Sequence, residues 1–253
     1  MGGSTTIEYL DRRWYSSYSN NWDDSIFRQR ILKRLHKDSC VLDLGAGAGI
    51  VQQMNFRGIA GKVCGVDMDP RVLSNPFLDE AKVASGEAIP YADEEFDVVL
   101  ADNVLEHLTD PLRVFREVSR VLRPGGWFLV KTPNKWHYVP LLARMTPLAF
   151  HRFFNRFRGR ASEDTFPTHY RANSRGDIYR LAAASGLDVF DLVLIEGRPE
   201  YLRMTAVTYV AGYLYERLVN ASERLAQLRL LLIAELLKPE KNAKSHTQGS
   251  TRD

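Results

Sequence analysis

The chain has 253 residues, a formal net charge of +3 and a hydrophobic content of 45%. This length allows one large α/β domain with a sizeable core, and so small a charge does not by itself demand a nucleic-acid partner. The sequence contains neither a signal peptide nor an apolar run of about 18 residues, so we expect a cytoplasmic protein. Strands that alternate with helical segments predict a mainly parallel sheet.

The first predicted element is a helix at about 24–35, after a leader rich in tyrosine and tryptophan. An apolar strand then runs into a glycine-rich turn, with Asp43 two positions before Gly45. Glycine lets the backbone turn sharply and approach a ligand closely. We expect the turn to end at a helix N-terminus, where free N–H groups favour negative charge. The dinucleotide fingerprint G-x-G-x-x-G needs its third glycine where this chain has Ile50.

More motifs follow in order along the chain. A short buried strand at 62–66 ends at Asp67, and a carboxylate there can accept hydrogen bonds from ribose hydroxyls. The remaining motifs are the segment 86–90, a strand at 96–100 followed by the run 103–108, and the segment 117–126 that leads into a strand at 127–131. Five motifs in this order are far more specific than the glycine turn alone.

This ordered set resembles the class I S-adenosylmethionine (SAM) methyltransferases, in particular the large group that includes the ubiquinone-biosynthesis and related small-molecule methyltransferases. The resemblance is close over 41–133 and looser elsewhere. It implies a doubly wound, Rossmann-like, seven-stranded and mostly parallel sheet, with insertions after the fifth strand and between the sixth and seventh strands. The expected boundaries are one domain over 1–238, with core 36–133 and 173–238, insertions 134–172 and 198–227, and a polar tail 239–253 that we expect to be disordered.

The resemblance also implies a SAM site. Asp43 and the glycine turn would hold the amino-acid end, Asp67 the ribose, and Glu87 with the backbone N–H of Ala88 the adenine edge. Turn-capping by Asp43, a solvent-facing Glu87 and a purely structural His107 stay open as alternatives. The complete set of expected cofactor contacts is Asp43, Gly45, Ala46, Gly47, Gly49, Asp67, Met68, Glu87, Ala88, Asp102, Asn103 and His107.

We expect the residues that select the substrate to lie in the segment after the fifth strand. From Arg120 to Arg160 there are nine lysines and arginines and no acidic residue. A basic helix with one aromatic face is predicted here by Phe150, Phe153, Phe154 and Phe157, with Arg152 and Arg156 on another face. It could be a lid over the substrate, a peripheral membrane contact through 136–160 or a nucleic-acid contact.

Methylation of a hydroxyl requires a base to remove its proton. His169 is the leading candidate, because the step Thr168–His169 is similar to a Gly-Thr-His step in ubiquinone-type O-methyltransferases, although this chain has Pro167 in place of glycine. His137 and Tyr138 are the next candidates for this catalytic role. We expect no catalytic metal, since the acidic pair of metal-dependent catechol-type enzymes is missing after the fifth strand.

The sequence therefore predicts a SAM-dependent O-methyltransferase that acts on a hydrophobic or amphipathic small molecule, such as a phenolic, polyketide, lipid or glycolipid hydroxyl. One alternative is an RNA methyltransferase of the tRNA-modifying kind, and another is a SAM-binding module without turnover. We expect a monomer or a homodimer with no DNA partner. Toward the C-terminus we expect a helix at 173–185, a sixth strand at 187–196 and a seventh strand at 229–237, although 228–238 also fits a helix.

Overall fold

The computed structural model describes residues 3–19, 21–145 and 167–240. Its core is a seven-stranded sheet with the strand order β3-β2-β1-β4-β5-β7-β6. The strands are β1 (Cys40–Leu44), β2 (Lys62–Asp67), β3 (Glu80–Val83), β4 (Phe96–Asp102), β5 (Leu122–Pro133), β6 (Asp188–Ile195) and β7 (Leu231–Leu237). The α-helices are α1 (Gly3–Trp14), α2 (Trp22–Leu32), α3 (Pro111–Val121), α4 (Tyr138–Met145), α5 (Arg175–Ser185) and α6 (Ala206–Asn220).

Strands β1 to β5 pair in parallel, and β7 is antiparallel to both β5 and β6. Two antiparallel steps make β6 parallel to β5, so the carboxyl ends of β1 to β6 lie at one edge of the sheet. The expected seven-stranded, mostly parallel α/β fold is confirmed. The segment at 228–238 ends in a strand and not a helix, since Leu231–Leu237 pairs on both sides.

Each face of the sheet has its own apolar core. Helices α3 and α5 cover one face, where α3 buries Val114, Phe115, Val118 and Val121 on a single side. The side chain of Asp110 accepts a hydrogen bond from the backbone N–H of Arg113 and so caps the start of α3. Helix α2 covers the other face, with Phe27 and Ile31 fully buried.

The connection after β1 differs from the prediction. No α-helix follows the glycine turn, which leads instead into a three-residue 3₁₀ helix, Gln52–Met54. The connection back to β2 is short and contains Gly58 and Gly61, residues that disfavour an α-helix. The expectation of a helix N-terminus at the turn is therefore wrong. Helix α2 also begins and ends earlier than the predicted 24–35.

The second insertion forms a layer with the N-terminal helix. It contains the 3₁₀ helices Glu200–Leu202 and Glu223–Leu228 on either side of α6. The ring of Trp14 on α1 stacks on Tyr213 of α6, with their centroids 4.3 Å apart. The predicted aromatic helix with Phe150, Phe153, Phe154, Phe157, Arg152 and Arg156, and the tail from residue 241 onward, lie outside the described residues.

Candidate active site

The glycine turn after β1 needs glycine for two different reasons. Gly45, Gly47 and Gly49 all have positive φ angles, of 78°, 52° and 72°, a region that other residues rarely adopt. A Cβ atom on Gly45 would lie 2.4 Å from Cγ2 of Val104. The turn is tied to the sheet because the N–H of Gly45 donates to the carbonyl of Val66 at 2.7 Å.

Asp67 supports this turn from the end of β2. Its Oδ2 accepts the backbone N–H of Gly47 at 2.9 Å, and its Oδ1 accepts the N–H of Asp69 at 2.8 Å. The side chain of Asn75 reinforces the turn from the far side by donating to the carbonyls of Ala46 and Gly47. The predicted contacts Asp67 and the glycines therefore form one unit, with the exposed Met68 beside it.

Asp43 is a buried acid without a cation beside it. Only 8% of its surface is exposed, and no described residue donates a hydrogen bond to its carboxylate. Burial, and to a smaller extent the nearby carboxylates of Asp102 and Asp67, together raise the pKa of Asp43 to about 8. Such a group gains most from a ligand that brings positive charge.

Asp102 is a buried acid that does have a cation. Its Oδ1 lies 3.0 Å from Nζ of Lys131, which is fully buried on β5 and also pairs with Asp23 and Asp24 at the start of α2. Burial raises the pKa of Asp102 to about 7, while Lys131 pulls it down. Burial opposes the charge on Lys131, but the three carboxylates outweigh this effect and raise its pKa.

These charges fit SAM, which carries a sulfonium and an ammonium group. The carboxylates of Asp43, Asp67, Asp102, Asp23 and Asp24 outnumber the single lysine. No α-helix begins at the glycine turn, and the N-terminal turn of α2 already carries the carboxylates of Asp23 and Asp24, which oppose the binding of an anion there. The residues present therefore suit a cationic ligand at the carboxyl ends of β1 and β4.

The two groups expected to read adenine already have partners within the protein. Oε1 of Glu87 accepts the hydroxyl of Thr109 at 2.8 Å. The N–H of Ala88 donates to the carbonyl of Ser85 at 3.0 Å. Their adenine role stays a prediction, and it requires Ala88 to exchange its present hydrogen bond for one to the ligand.

Asn103 and His107 build the loop after β4. Asn103 has a φ of +54°, and its side chain donates to Asp102 at 2.9 Å. Nδ1 of His107 lies 2.9 Å from the carbonyl oxygen of Pro167. This contact ties His107 to the chain that carries His169, and the cofactor role of His107 stays a prediction.

His169 is held close to the end of β4. Its backbone N–H donates to the carbonyl of Glu106 at 2.6 Å, while its side chain is exposed. Glu106 is itself buried, with its carboxylate bound to the hydroxyl of Thr132, which in turn accepts from Asn173. Burial raises the pKa of Glu106. This network was missed from the sequence because its members come from three separate segments.

His137 and Tyr138 lie elsewhere along the same edge. His137 is buried, with Nε2 at 3.4 Å from Oε2 of Glu196 but not in hydrogen-bonding geometry. Burial lowers the pKa of His137 to about 3 and raises that of Glu196 to about 8. Glu196 follows β6, three strand steps and about 14 Å from β4. His169 is thus tied to the loop after β4, whereas His137 and Tyr138 follow β5, and His137 contacts the residue that follows β6.

Two kinds of feature, a metal-binding cluster and a membrane-spanning helix, are absent from the described ranges. Within 3–19, 21–145 and 167–240, no cluster of histidine, cysteine, aspartate or glutamate side chains is arranged to hold a metal ion. Nor do these residues include a helix with both the length and the hydropathy needed to cross a bilayer.

Comparison with known proteins agrees with this geometry. Residues 42–130 match a family described as a methyltransferase domain. A probable S-adenosylmethionine-dependent methyltransferase of Mycolicibacterium smegmatis is 31% identical over 156 residues, which are 60% of this chain and 52% of that protein. A ubiquinone biosynthesis O-methyltransferase of Thiobacillus denitrificans is 32% identical over 104 residues, covering 38% and 44% of the two chains. The chain thus spans about half the length of the curated relatives it matches.

Solved structures agree on the fold. A geranyl diphosphate C-methyltransferase from Streptomyces coelicolor, solved with S-adenosyl-L-homocysteine, superposes with a TM-score of 0.53 at 17% identity. The superposition covers 85% of this chain and 77% of the other. The family match, the relatives and the turn with its acids agree on the cofactor, which is SAM. The chain therefore carries a class I SAM-dependent methyltransferase domain.

Proposed function

We propose that this protein transfers the methyl group of SAM to a hydroxyl of a hydrophobic or amphipathic small molecule. The observation that carries the proposal is a cluster of aromatic side chains near the carboxyl edge of the sheet beyond β5. There the rings of Tyr138 and Tyr215 meet at 4.8 Å, and His137 packs against both. Rings grouped beside buried polar atoms suit an acceptor with an extended apolar body and a few polar groups. The similarity to a ubiquinone biosynthesis O-methyltransferase supports a hydroxyl acceptor.

In this proposal the protein aligns two reactants and removes one proton. SAM, when bound, supplies an electrophilic methyl group, so the protein chiefly contributes alignment and a water-poor cavity. Asp43 and Asp67 would hold the cofactor, and His169 would accept the proton of the acceptor hydroxyl. The ordinary pKa of histidine, about 6.5, suits proton removal near neutral pH.

The four basic side chains that the structure describes in the segment 120–160 lend no support to RNA as the acceptor. Arg120 pairs with Asp93 and Glu117, and Arg123 pairs with Asp97. The next two, Lys131 and Lys135, are also ion-paired, the latter with Asp177 at 2.5 Å. The acids that neutralise these four cations come from outside the segment, and the other five basic residues of 120–160 lie outside the described side chains. Phosphate binding needs uncompensated cations.

The acceptor class can be tested with SAM carrying a tritiated methyl group. The protein is incubated with separate lipid, phenolic, sugar and RNA extracts, and the Gly45→Ala variant provides the inactive control. We expect label in the lipid or phenolic fraction, attached to oxygen when the product is fragmented by mass spectrometry. Label confined to RNA would replace the proposal with the tRNA-modifying alternative. Tight SAM binding with no transfer to any pool would favour the binding module.

A further inference from the structure

Lys131 is a fully buried lysine on β5, where it follows the buried apolar residues Phe128, Leu129 and Val130. A charge at such a depth is costly unless opposite charges surround it. An apolar side chain would also cover Phe27 of α2, whose ring centroid lies 6.0 Å from Nζ of Lys131. Replacing a buried ion pair by apolar residues is often neutral or stabilising. Packing alone therefore does not account for a cation at this position.

The ammonium group of Lys131 contacts two different elements. On one side lie the carboxylates of Asp23 and Asp24 at the start of α2, with Nζ at 3.2 Å from Oδ2 of Asp23. On the other side lies Asp102, which pairs with Lys131 in the register of β4 and β5. Its Oδ1 is 3.0 Å from Nζ. The contact to α2 fastens a helix, whereas the contact to Asp102 reaches the edge of the sheet that holds the glycine turn.

The two carboxylate oxygens of Asp102 have different surroundings. Oδ1 forms the ion pair with Lys131 and also accepts a hydrogen bond from the side-chain amide of Asn103 at 2.9 Å. No described residue donates a hydrogen bond to Oδ2, and this atom is not among the fully buried atoms that lack a partner. Two contacts on one oxygen hold the carboxylate in one orientation. The other oxygen is left as an acceptor for a ligand.

Asp102 lies beside the glycine turn. The preceding residue, Ala101, pairs with Leu44 in the register of β1 and β4, so Asp102 is level with Gly45. Its carboxylate is also close enough to Asp43 to raise the pKa of that acid. A cation bound beside Asp43 is therefore attracted by Asp102 as well. The ammonium group of SAM is such a cation, and unlike the sulfonium group it can donate hydrogen bonds.

We propose that Lys131 is a positioning residue for SAM, which favours the charged form of Asp102 and orients it so that its free oxygen receives the ammonium group of the cofactor. Burial favours the neutral form of a carboxyl group, and a neighbouring cation opposes this effect. Lys131 would thus act through Asp102 and not by touching SAM. The inference concerns cofactor binding and does not depend on the identity of the acceptor.

Calorimetry with SAM tests the proposal as a double-mutant cycle on the full chain. The four proteins are the unmodified chain, Lys131→Met, Asp102→Asn and the variant with both changes. Lys135→Met is the matched control, because it removes another partly buried lysine of this region, which pairs with Asp177 at 2.5 Å. Lys131→Gln is a second test variant, whose amide carries no charge but can still donate to the carboxylates of α2. Thermal unfolding followed by circular dichroism checks that each variant folds.

We expect Lys131→Met to weaken SAM binding at least about tenfold at pH 7, because Asp102 is then largely protonated. The same change in the Asp102→Asn chain should weaken binding less than about twofold, since no carboxylate remains to be held. Lys131→Gln should lose at least about threefold, and Lys135→Met should bind SAM like the unmodified chain.

The pH dependence separates this role from a structural one. Without its cation Asp102 loses its proton at higher pH, so the loss in Lys131→Met should shrink between pH 7 and pH 8.5. The other acids around Asp102, namely Asp43 on β1 and Asp23 and Asp24 on α2, are present in both proteins.

The proposal is overturned if Lys131→Met binds SAM as the unmodified chain does. It is also overturned if the loss is the same with and without the carboxylate of Asp102, or the same at pH 7 and pH 8.5, since Lys131 would then act by fastening α2. An equal loss in Lys135→Met would likewise contradict it. If Lys131→Met does not fold, the same criteria apply to Lys131→Gln.

Discussion

The two halves of the sheet edge are built in different ways. On the cofactor side, at the ends of β1, β2 and β4, the turn of Gly45–Gly49, Asp67 and Asn103 lie within a few positions of a strand end. On the proposed acceptor side, which comprises 134–145, 167–172 and 196–230, contacts join remote parts of the chain, as when Tyr15 donates to Glu216. A site fixed by strand ends can be retained while the other side changes its substrate. Single substitutions on the two sides should therefore have separable effects.

The largest effect should come from the acceptor side and should spare the cofactor. We expect His169→Ala to lower turnover by about 10²–10⁴ through loss of the general base. SAM affinity should hardly change, since the backbone N–H of His169, and not its ring, binds Glu106. Turnover with the acceptor found in the labelling screen and calorimetry with SAM measure the two quantities. His169→Gln is the control for side-chain volume, and normal turnover in both variants would remove His169 from the mechanism.

The second effect should fall on the cofactor side alone. Gly45→Ala should weaken SAM binding by at least about 100-fold, because its Cβ would strike Val104 in a turn of positive φ. Gly58→Ala is the matched control, with a φ of +76° and no atom within 4 Å of the added Cβ. That variant should lose about 1 kcal/mol of stability from backbone strain and still bind SAM. Equal loss of binding in the two variants would show that strain, and not the clash, is responsible.

A smaller loss is expected at Asp67. Replacing this residue with alanine leaves ribose hydroxyls and the N–H of Gly47 without an acceptor, which costs roughly 1–3 kcal/mol or about 5–150-fold in affinity. Asp69→Ala removes a neighbouring carboxylate that binds Arg71 instead, and it should leave the affinity nearly unchanged. Calorimetry with S-adenosylhomocysteine on both variants checks this, and equal losses would contradict a specific ribose contact.

The smallest effect is a dependence on pH. Because the pKa of Asp43 is about 8 in the free protein, lowering the pH from 8 to 7 should protonate it further and weaken the binding of cationic SAM by up to about tenfold. Calorimetry with SAM at several pH values measures this dependence in the unmodified chain and in Asp43→Asn. We expect Asp43→Asn to flatten it, and a pH dependence that stays equally steep in the variant would exclude Asp43 as its source.

The carboxyl group of Asp43 should also make the stability of the ligand-free protein depend on pH, with the opposite sign to SAM binding. Its pKa in the unfolded chain is about 4, so the folded protein holds the extra proton between about pH 4 and 8. Stability from this group is therefore lost as the pH rises through that window. Without ligand, Asp43→Asn should melt at a higher temperature than the unmodified chain at pH 9, while the two converge below pH 4.

The sequence predicts the cofactor side well because its signals are local. Glycine spacing and an acid at a strand end indicate backbone conformation and position without knowledge of distant contacts. It does not predict the partners of Lys131, since Asp23 and Asp24 lie more than a hundred positions away. Nor does the sequence predict that Val207, Leu214 and Leu218 on α6 are exposed. Apolar residues at helical spacing predict burial, and only the structure shows which face of the helix packs. The family pattern predicts an α-helix after the turn, but Gly58 and Gly61 in the short connection to β2 disfavour one, and the chain forms a 3₁₀ helix there.

The missing helix after the glycine turn also bears on competition within the cell. Nucleotides such as ATP and NAD share the adenosine part of SAM but carry phosphates. Near Asp43, Asp67 and Asp102 those phosphates would meet carboxylates, and no α-helix begins at the glycine turn to attract them. We therefore expect the charge of the ligand, more than its shape, to separate SAM from ATP and NAD at this site. Abundant anionic metabolites should inhibit SAM binding only weakly, even though they contain the same base and sugar.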